Sequence, residues 1–387
     1  MTLYGGYLFY ICLVVALIPA ITLGIMQKPL KHYTLCISLI FICLVLASDI
    51  HQLLCFTGFF LAELMVVKGY LFIRNKYGRN AKLYYAAVCL SILPLVLNKC
   101  CSLFELNVFG ILGISYLTFK TVQMIIEIYD GVISDVPILE FSGFILFFPA
   151  LSCGPIDRSR RFHEDWTKVY EREEYLDLVG TGIFKILLGL IYKLILAVQF
   201  YKIMGFFDGQ QWYFAVGYAY MYGFYLFFDF AGYSLMAVGT SYILGIQTPD
   251  NFRKPFIAKD MRDFWDRWHI TLSYWFRDFI FSRFIMKCVK KKWFDSRLQR
   301  ASAGFIVNMF IMGMWHGLTL SYLLYGLYHG VLLAITEIYQ KKSKLYKKNK
   351  DKKGYQILSW FITLQLVMFG FLIFSGRFVE ILNLGGH

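Results

Sequence analysis

The run FIVNMFIMGMWHGLTL, residues 305–320, is apolar enough to lie in a bilayer, yet it carries His316 near its end. An ionisable group at membrane depth costs several kcal/mol unless it meets a partner or water, about 2.5 to 3.5 kcal/mol for full charges on insertion scales. Packing alone does not justify that cost, so His316 is a functional-site candidate. Gly313 and Gly317 beside it remove side-chain bulk and let another helix or a substrate come close. A second histidine, His269, stands within WDRWHITLSYWFRD, residues 265–278. Imidazole changes protonation nearer neutral pH than any other unperturbed side chain, which suits it to general-base work.

Working outward, the whole chain shares this apolar character. Of 387 residues, 58% are hydrophobic, 19% aromatic and only 17% charged, with a mean hydropathy of +0.55. That is too apolar for a soluble domain with a polar shell. Membrane-length segments fall at 3–25, 33–46, 53–73, 82–97, 104–128, 178–206, 212–228, 230–245, 303–320, 322–339 and 357–374, about eleven spans by the roughly 20-residue criterion. The short stretches 142–155 and 252–268 read as re-entrant or interfacial segments. The fold class is therefore an all-α polytopic membrane protein. Residues 1–387 read as one membrane-embedded domain: peripheral helices over 1–100, a core over 101–340, and a basic cytoplasmic loop with a last helix over 341–387. Before residue 100 the chain shows little beyond hydrophobicity, with Glu63 and Lys68 as interface anchors.

Positive charge sets the orientation. Lys28 and Lys31, Arg74 to Lys82, Arg158 with Arg160 and Arg161, Lys287 to Lys292 and the lysines of 341–353 belong on the cytoplasmic side, which leaves the N-terminus outside. The first apolar segment has no positive residue before it and Lys28 after it, the reverse of a secretory signal, so it reads as a retained helix. The net charge of +14 is dispersed between spans, which fits loops facing anionic lipid and an acidic partner, and not nucleic acid. The nine cysteines include no CxxC pair, so neither a metal site nor a disulfide framework is expected. Glycine-rich phosphate loops, HExxH and GxSxG are absent.

Three polar and aromatic segments remain. FFPALSCGPIDRSRRF, residues 147–162, reads as a Pro-Gly turn closed by interfacial arginines, Arg158 among them, with a structural role. FFDFAGYSLMAVG, residues 227–239, places Asp229 at membrane depth, where a carboxylate caps Ser234 or a nearby amide. MRDFWDRWHITLSYWFRDFIF, residues 261–281, has the composition of an interfacial helix. Helical spacing puts Trp265, Asp266, His269 and Ser273 on one stripe, with Asp266 placed to hold the His269 ring and Asp263 paired with Arg267.

The pair WDRWHITLSYWFRD and MGMWHG resembles the signature of the membrane-bound O-acyltransferase family, over residues 104–374. GPIDRSRRF and FFDFAGYSLMAVGTSYILG are most similar to its DltB-type, D-alanyl-transferring branch. Alginate-type O-acetyltransferases are similar over the same segments but usually carry Asp where this chain has Leu235, which favours the first branch. The resemblance implies a ring of membrane helices around a thin wall pierced by a tunnel. It also implies movement of D-alanine from the phosphopantetheine thioester of a small acidic D-alanyl carrier protein (DltC-like) toward lipoteichoic acid. His316 would be the general base and His269 would position or polarise a reactant, with Asp266, Trp315 and Ser273 in support. No metal is required, and no cofactor is bound by the chain itself. A DltD-like membrane protein and a small membrane peptide are further implied partners. Residues 281–300, FSRFIMKCVKKKWFDSRLQR, would seat the carrier on Ile285, Met286 and Val289, with Lys290 and Arg297 steering it; the other reading is a basic helix on anionic lipid. The competing activities are polysaccharide O-acetylation, transport or flipping along Glu127, Asp229, Glu337 and the histidines, and a scaffold that only recruits the carrier. The halves of the chain show none of the internal repetition common in transporters.

Overall fold

The computed structural model describes residues 1–103, 111–209 and 211–382. The first residues of the span expected at 104–128, and the end of the 341–387 region, lie outside the described residues. Among the described residues all regular elements are helical, apart from one isolated bridge between Thr2 and Gly5. The chain divides into two compact units, Met1–Leu190 with Gly232–Pro249, and Ile191–Ala231 with Asp250–His387.

The first unit contains α1 (Tyr7–Ile25), α2 (Lys31–Leu46), α3 (Ile50–Tyr77), α4 (Ala81–Leu103), α5 (Ile114–Asp130), α6 (Ile138–Ile145), α7 (Ser159–Thr167) and α8 (Arg172–Leu190). The helical path continues from α8 through a π turn, Ile191–Ala197, into α9 (Val198–Met204). The long α10 (Trp212–Ile243) divides between the units, its last turns belonging to the first. There Gly182 and Gly189 of α8 face Gly239 and Gly232, so closely that an added Cβ would come within 2.7 Å of the opposite glycine carbonyl. With little hydrophobic drive between helices in lipid, such small-residue seams permit the backbone approach that holds them together. The fully buried Tyr175 fastens α1 to the same seam by donating toward the carbonyls of Ala20 at 3.1 Å and Ile243 at 2.8 Å. Glu63 is not an interface anchor. It is buried in α3 and accepts from Ser91 at 2.7 Å.

The second unit carries α11 (Met261–Trp265), α12 (Ile270–Phe276), a π turn over Arg277–Phe281, α13 (Ser282–Lys291), α14 (Arg297–His316), α15 (Leu320–Lys342), α16 (Lys344–Asn349), α17 (Lys353–Phe374) and α18 (Arg377–Ile381). Residues 261–281 are thus broken into short pieces and do not form the single interfacial helix that their spacing suggests. α14 starts in a capping box, with Gln299 N donating to Ser296 Oγ at 3.1 Å and Ser296 N to Gln299 Oε1 at 3.0 Å. It returns through three residues into α15. A Cβ on Gly313 would meet the Tyr322 carbonyl at 2.4 Å, and one on Gly326 the Met309 carbonyl at 2.5 Å. Gly313 therefore admits a helix, one of the two neighbours that its small size allows.

Among the described residues five helical stretches are long and apolar enough to cross a membrane: Tyr7–Ile25, Ile50–Tyr77, Ala81–Cys101, Arg172–Phe207 and Lys353–Phe374; Lys31–Leu46 is apolar but shorter. Of the other segments read from hydropathy, 212–228 and 230–245 are not two spans but the single helix α10, because no helix breaker separates them, while α5, α14 and α15 fold as helices that carry tyrosine, glycine and polar residues. The α14–α15 seam gives the first prediction. Gly326→Leu overpacks it, which typically costs about 1–3 kcal/mol, and lowers the unfolding midpoint in detergent by several degrees. Gly69→Ala, where a Cβ meets nothing within 4 Å, leaves the midpoint unchanged; equal midpoints for the two variants contradict this packing.

Candidate active site

Both signature histidines belong to the second unit, and each is delivered by the end of a helix. His316 is the last residue of α14, where the glycine-tight hairpin fixes it. Its ring lies 4.6 Å from the Trp315 ring and 5.1 Å from Phe374, edge to face, with Tyr322 stacked at 6.0 Å.

His269 is positioned by a helix break. Asp260 starts α11 by accepting from the amides of Arg262 and Asp263, both at 2.9 Å, and the expected Asp263–Arg267 pair forms at 2.6 Å. α11 then ends, and His269 turns left-handed with φ 43° and ψ 53°. For a residue with a Cβ this conformation costs about 1–3 kcal/mol and persists only when its surroundings over-determine it. Here the determinant is Asn251, a buried residue 18 positions earlier. Its main-chain carbonyl accepts from Ile270 N at 2.9 Å. Its Oδ1 accepts from Thr271 Oγ1 at 2.6 Å and Thr271 N at 3.4 Å, and lies 3.4 Å from His269 Nδ1. The opening amides of α12, which no intrahelical carbonyl can serve, are thereby capped from a distant loop. The loop is also pinned by Arg253 N donating to Arg267 O at 3.0 Å. Because Oδ1 can only accept, this contact places the proton on Nδ1 and leaves Nε2 of the neutral ring with its lone pair.

The buried His269 and the half-buried His316 line one cavity of about 50 Å³, walled by Phe230, Trp265, Trp268, Tyr325, Phe371 and Phe374. Phe230 stands edge-on to His269 at 4.7 Å. Trp265 also borders a second cavity, of about 110 Å³, which holds Asp266, Ser273 and Asn308. That cavity shares Arg262, Phe281 and Phe305 with a third cleft of about 620 Å³, lined further by Ile285, Val289, Arg297, Arg300 and Lys341. Three spaces therefore succeed one another from the basic surface to the histidines, with the Trp265 indole between the last two.

The structure brings together His269, His316 and Trp315. It does not place Asp266 or Ser273 with them: Asp266 is the C-cap of α11 and Ser273 donates to Trp268 O at 3.2 Å. The partner expected of Asp266 is supplied by Asn251, because the left-handed turn at His269 destroys the helical register that had aligned the two. Of the basic face, Ile285, Val289 and Arg297 line the large cleft, while Met286 and Lys290 are exposed on α13. Asp229 neither caps Ser234 nor holds an amide; it pairs with Lys193 at 2.5 Å. Arg158 donates to Gln123 Oε1 at 3.1 Å. The carboxylates that a transport path would require are engaged too, Glu127 by Ser159 at 2.9 Å and Glu337 by Arg262 at 3.3 Å. Sequence spacing gave no sign of Asn251 or of His329, a buried ring 4.5 Å from Tyr325 and 5.3 Å from Trp265, neither of whose nitrogens has a hydrogen-bond partner among the described residues.

The model of the MBOAT, membrane-bound O-acyltransferase, family matches residues 77–376. The chain belongs to the membrane-bound O-acyltransferase family. Proteins similar to it include the teichoic acid D-alanyltransferase of Bacillus subtilis (strain 168), 43% identical over 97% of this chain and 98% of the relative. The protein of the same name from Streptococcus thermophilus is 38% identical over 96% of this chain and 94% of its own length. A probable alginate O-acetylase of Pseudomonas syringae pv. tomato is 29% identical over 69% of this chain and 49% of its own length. The chain is thus an all-α membrane enzyme, an acyltransferase.

The Asn251 cap gives the second prediction. Asn251→Ala strands the Thr271 amide and hydroxyl and frees His269, at about 1–3 kcal/mol for each buried group left unsatisfied. Acyl transfer falls at least tenfold and the unfolding midpoint drops. Wild-type values for both quantities contradict a capping role.

Proposed function

We propose that this chain moves a D-alanyl group from the phosphopantetheine thioester of an acidic carrier protein to a hydroxyl on the teichoic acid pathway, with His316 as general base. The observation that carries the proposal is the pair of imidazoles in one small cavity, with Trp265 separating it from a second cavity that shares wall residues with a basic cleft. The likeness to two proteins named teichoic acid D-alanyltransferase over nearly their full lengths supplies the acyl group and the acceptor class.

The chemistry asks little of the protein beyond placement. A thioester is already activated, so holding donor and hydroxyl together and removing one proton covers most of the barrier that a protein must lower. The neutral His316 takes the hydroxyl proton as its oxygen attacks the acyl carbon. The C–O bond forms, the C–S bond breaks, and the proton passes to the departing thiolate. His269, with Nδ1 committed to Asn251, offers the Nε2 lone pair and positions a donor group of a reactant. Trp315 holds the His316 ring by direct ring contact. Asp266 and Ser273 act one cavity further out, along the arm of the thioester.

The 620 Å³ cleft fits the carrier's docking place. Ile285, Val289 and the exposed Met286 give an apolar seat, and Lys290, Arg297 and Arg300 ring it with positive charge. An acidic partner gains orientation and encounter rate from such a pattern. On this reading the phosphopantetheine is supplied by the carrier. The remaining placements rest on the charge distribution and the family resemblance: a multi-pass protein of the bacterial cell membrane with its N-terminus outside, basic loops against anionic lipid, lipoteichoic acid as the final acceptor, and a DltD-like protein with a small membrane peptide handing the group onward.

Two measurements test the proposal. In liposomes supplied with carrier loaded with labelled D-alanine or with acetate, the wild type transfers D-alanine and His316→Ala loses at least a hundredfold, the usual scale of a missing general base, with expression and carrier affinity intact. Transfer of acetate alone, or full activity of His316→Ala, overturns the assignment. Separately, Ile285→Asp or Met286→Asp weakens carrier binding at least tenfold in a titration; unchanged affinity places the docking surface elsewhere.

A further inference from the structure

A D-alanyl group differs from a plain acyl group by an α-ammonium, and the histidine cavity has to accommodate that charge away from bulk water. Among the described residues its lining contains aromatic rings, two imidazoles and two leucines, and no carboxylate. Asp229, the carboxylate adjacent in sequence to the wall residue Phe230, is paired with Lys193. The rings sit close together around the space: Trp268 and Phe371 at 4.9 Å between centroids, Tyr325 and Phe374 at 5.0 Å, Trp265 and Tyr325 at 6.5 Å.

We propose that this aromatic box recognises the α-ammonium of the aminoacyl group by cation–π attraction, and so makes the site selective for an aminoacyl thioester over a simple acyl thioester. This rests on the D-alanyl reading above. Aromatic faces carry a negative quadrupole that attracts ammonium ions, most strongly where water is excluded. The lone pair of His269 Nε2, freed by the Asn251 contact, supplies one hydrogen-bond acceptor to the same ammonium. A carboxylate would bind the cation more tightly, but beside an imidazole it would also favour the imidazolium form. The ring could then no longer accept a proton. An aromatic lining holds the substrate's charge without disturbing the base, which is a physical reason for the described lining to be aromatic and not acidic. The volume of about 50 Å³ suits a methyl and an ammonium side by side and is too small for a sugar ring.

The test uses the full-length protein in liposomes and two carriers, one loaded with D-alanine and one with propionate, the same skeleton without nitrogen. The measured quantity is the ratio of kcat/KM for the two. The wild type favours D-alanyl by about tenfold or more. Replacing Phe374 or Phe371 with phenylalanines bearing one, two and three fluorines keeps the shape while emptying the π face, and the ratio falls step by step; Phe374→Leu and Trp265→Leu bring it near one. A ratio that stays constant through the fluorinated series, with both substrates slowed equally, overturns the proposal. A wild type that transfers propionate but no D-alanine overturns instead the function on which the proposal rests.

Discussion

The placement of His269 at the candidate site depends on one residue, Asn251, that does not line its cavity. Asn251 spends its main-chain carbonyl on Ile270 and its amide oxygen on Thr271 and His269, and by doing so starts α12 one residue after a left-handed histidine. Without that cap the chain from Met261 onward would have every reason to remain helical. Aromatic and aliphatic residues at helical spacing, an i,i+4 ion pair and no proline all favour continuation. The break exchanges a regular helix for an imidazole aimed into the space that His316 also borders. Strain of about 1–3 kcal/mol in the backbone is the cost, and a defined tautomer is the return.

A second constraint is steric. His316 reaches the same cavity because α14 and α15 approach to backbone contact along Gly313, Gly326 and Gly330. In lipid the hydrophobic effect does little to drive helices together, so close packing through small residues has to do most of it. The π turns after α8 and after α12 belong to the same pattern. Each inserts a residue into a helix and rotates the facing of the turns beyond it, a device found frequently at functional sites. Around the histidines the cavity lining among the described residues is aromatic and aliphatic and carries no carboxylate.

Much of this was legible in the amino-acid order. The length and apolarity of the segments pointed to an all-α membrane protein, and the cost of placing His316 among Met312, Gly313 and Leu320 singled it out as the candidate that the structure sets beside His269. The Asp263–Arg267 pair followed from helical spacing because it lies within the one stretch, 261–267, where spacing still holds. Asp266 and Ser273 were misplaced for the converse reason: a stripe drawn through His269 assumes a helix on both sides of it. No local signal announces a left-handed histidine, because its cause is a tertiary contact from residue 251. Asp229 shows the same limit. Its apolar surroundings called for a partner, but Lys193 lies on a different helix and could not be read from spacing. Glu63, with Ser91, repeats the lesson within the first unit.

The most direct measurement is a cryo-EM structure of the protein bound to carrier whose pantetheine bears a non-hydrolysable D-alanyl analogue. The acyl carbon is expected in the cavity between His269 and His316, with the arm passing Trp265 and His269 still left-handed on Asn251. An acyl group resting outside that cavity, or a continuous right-handed helix through residue 269, would contradict this mechanism.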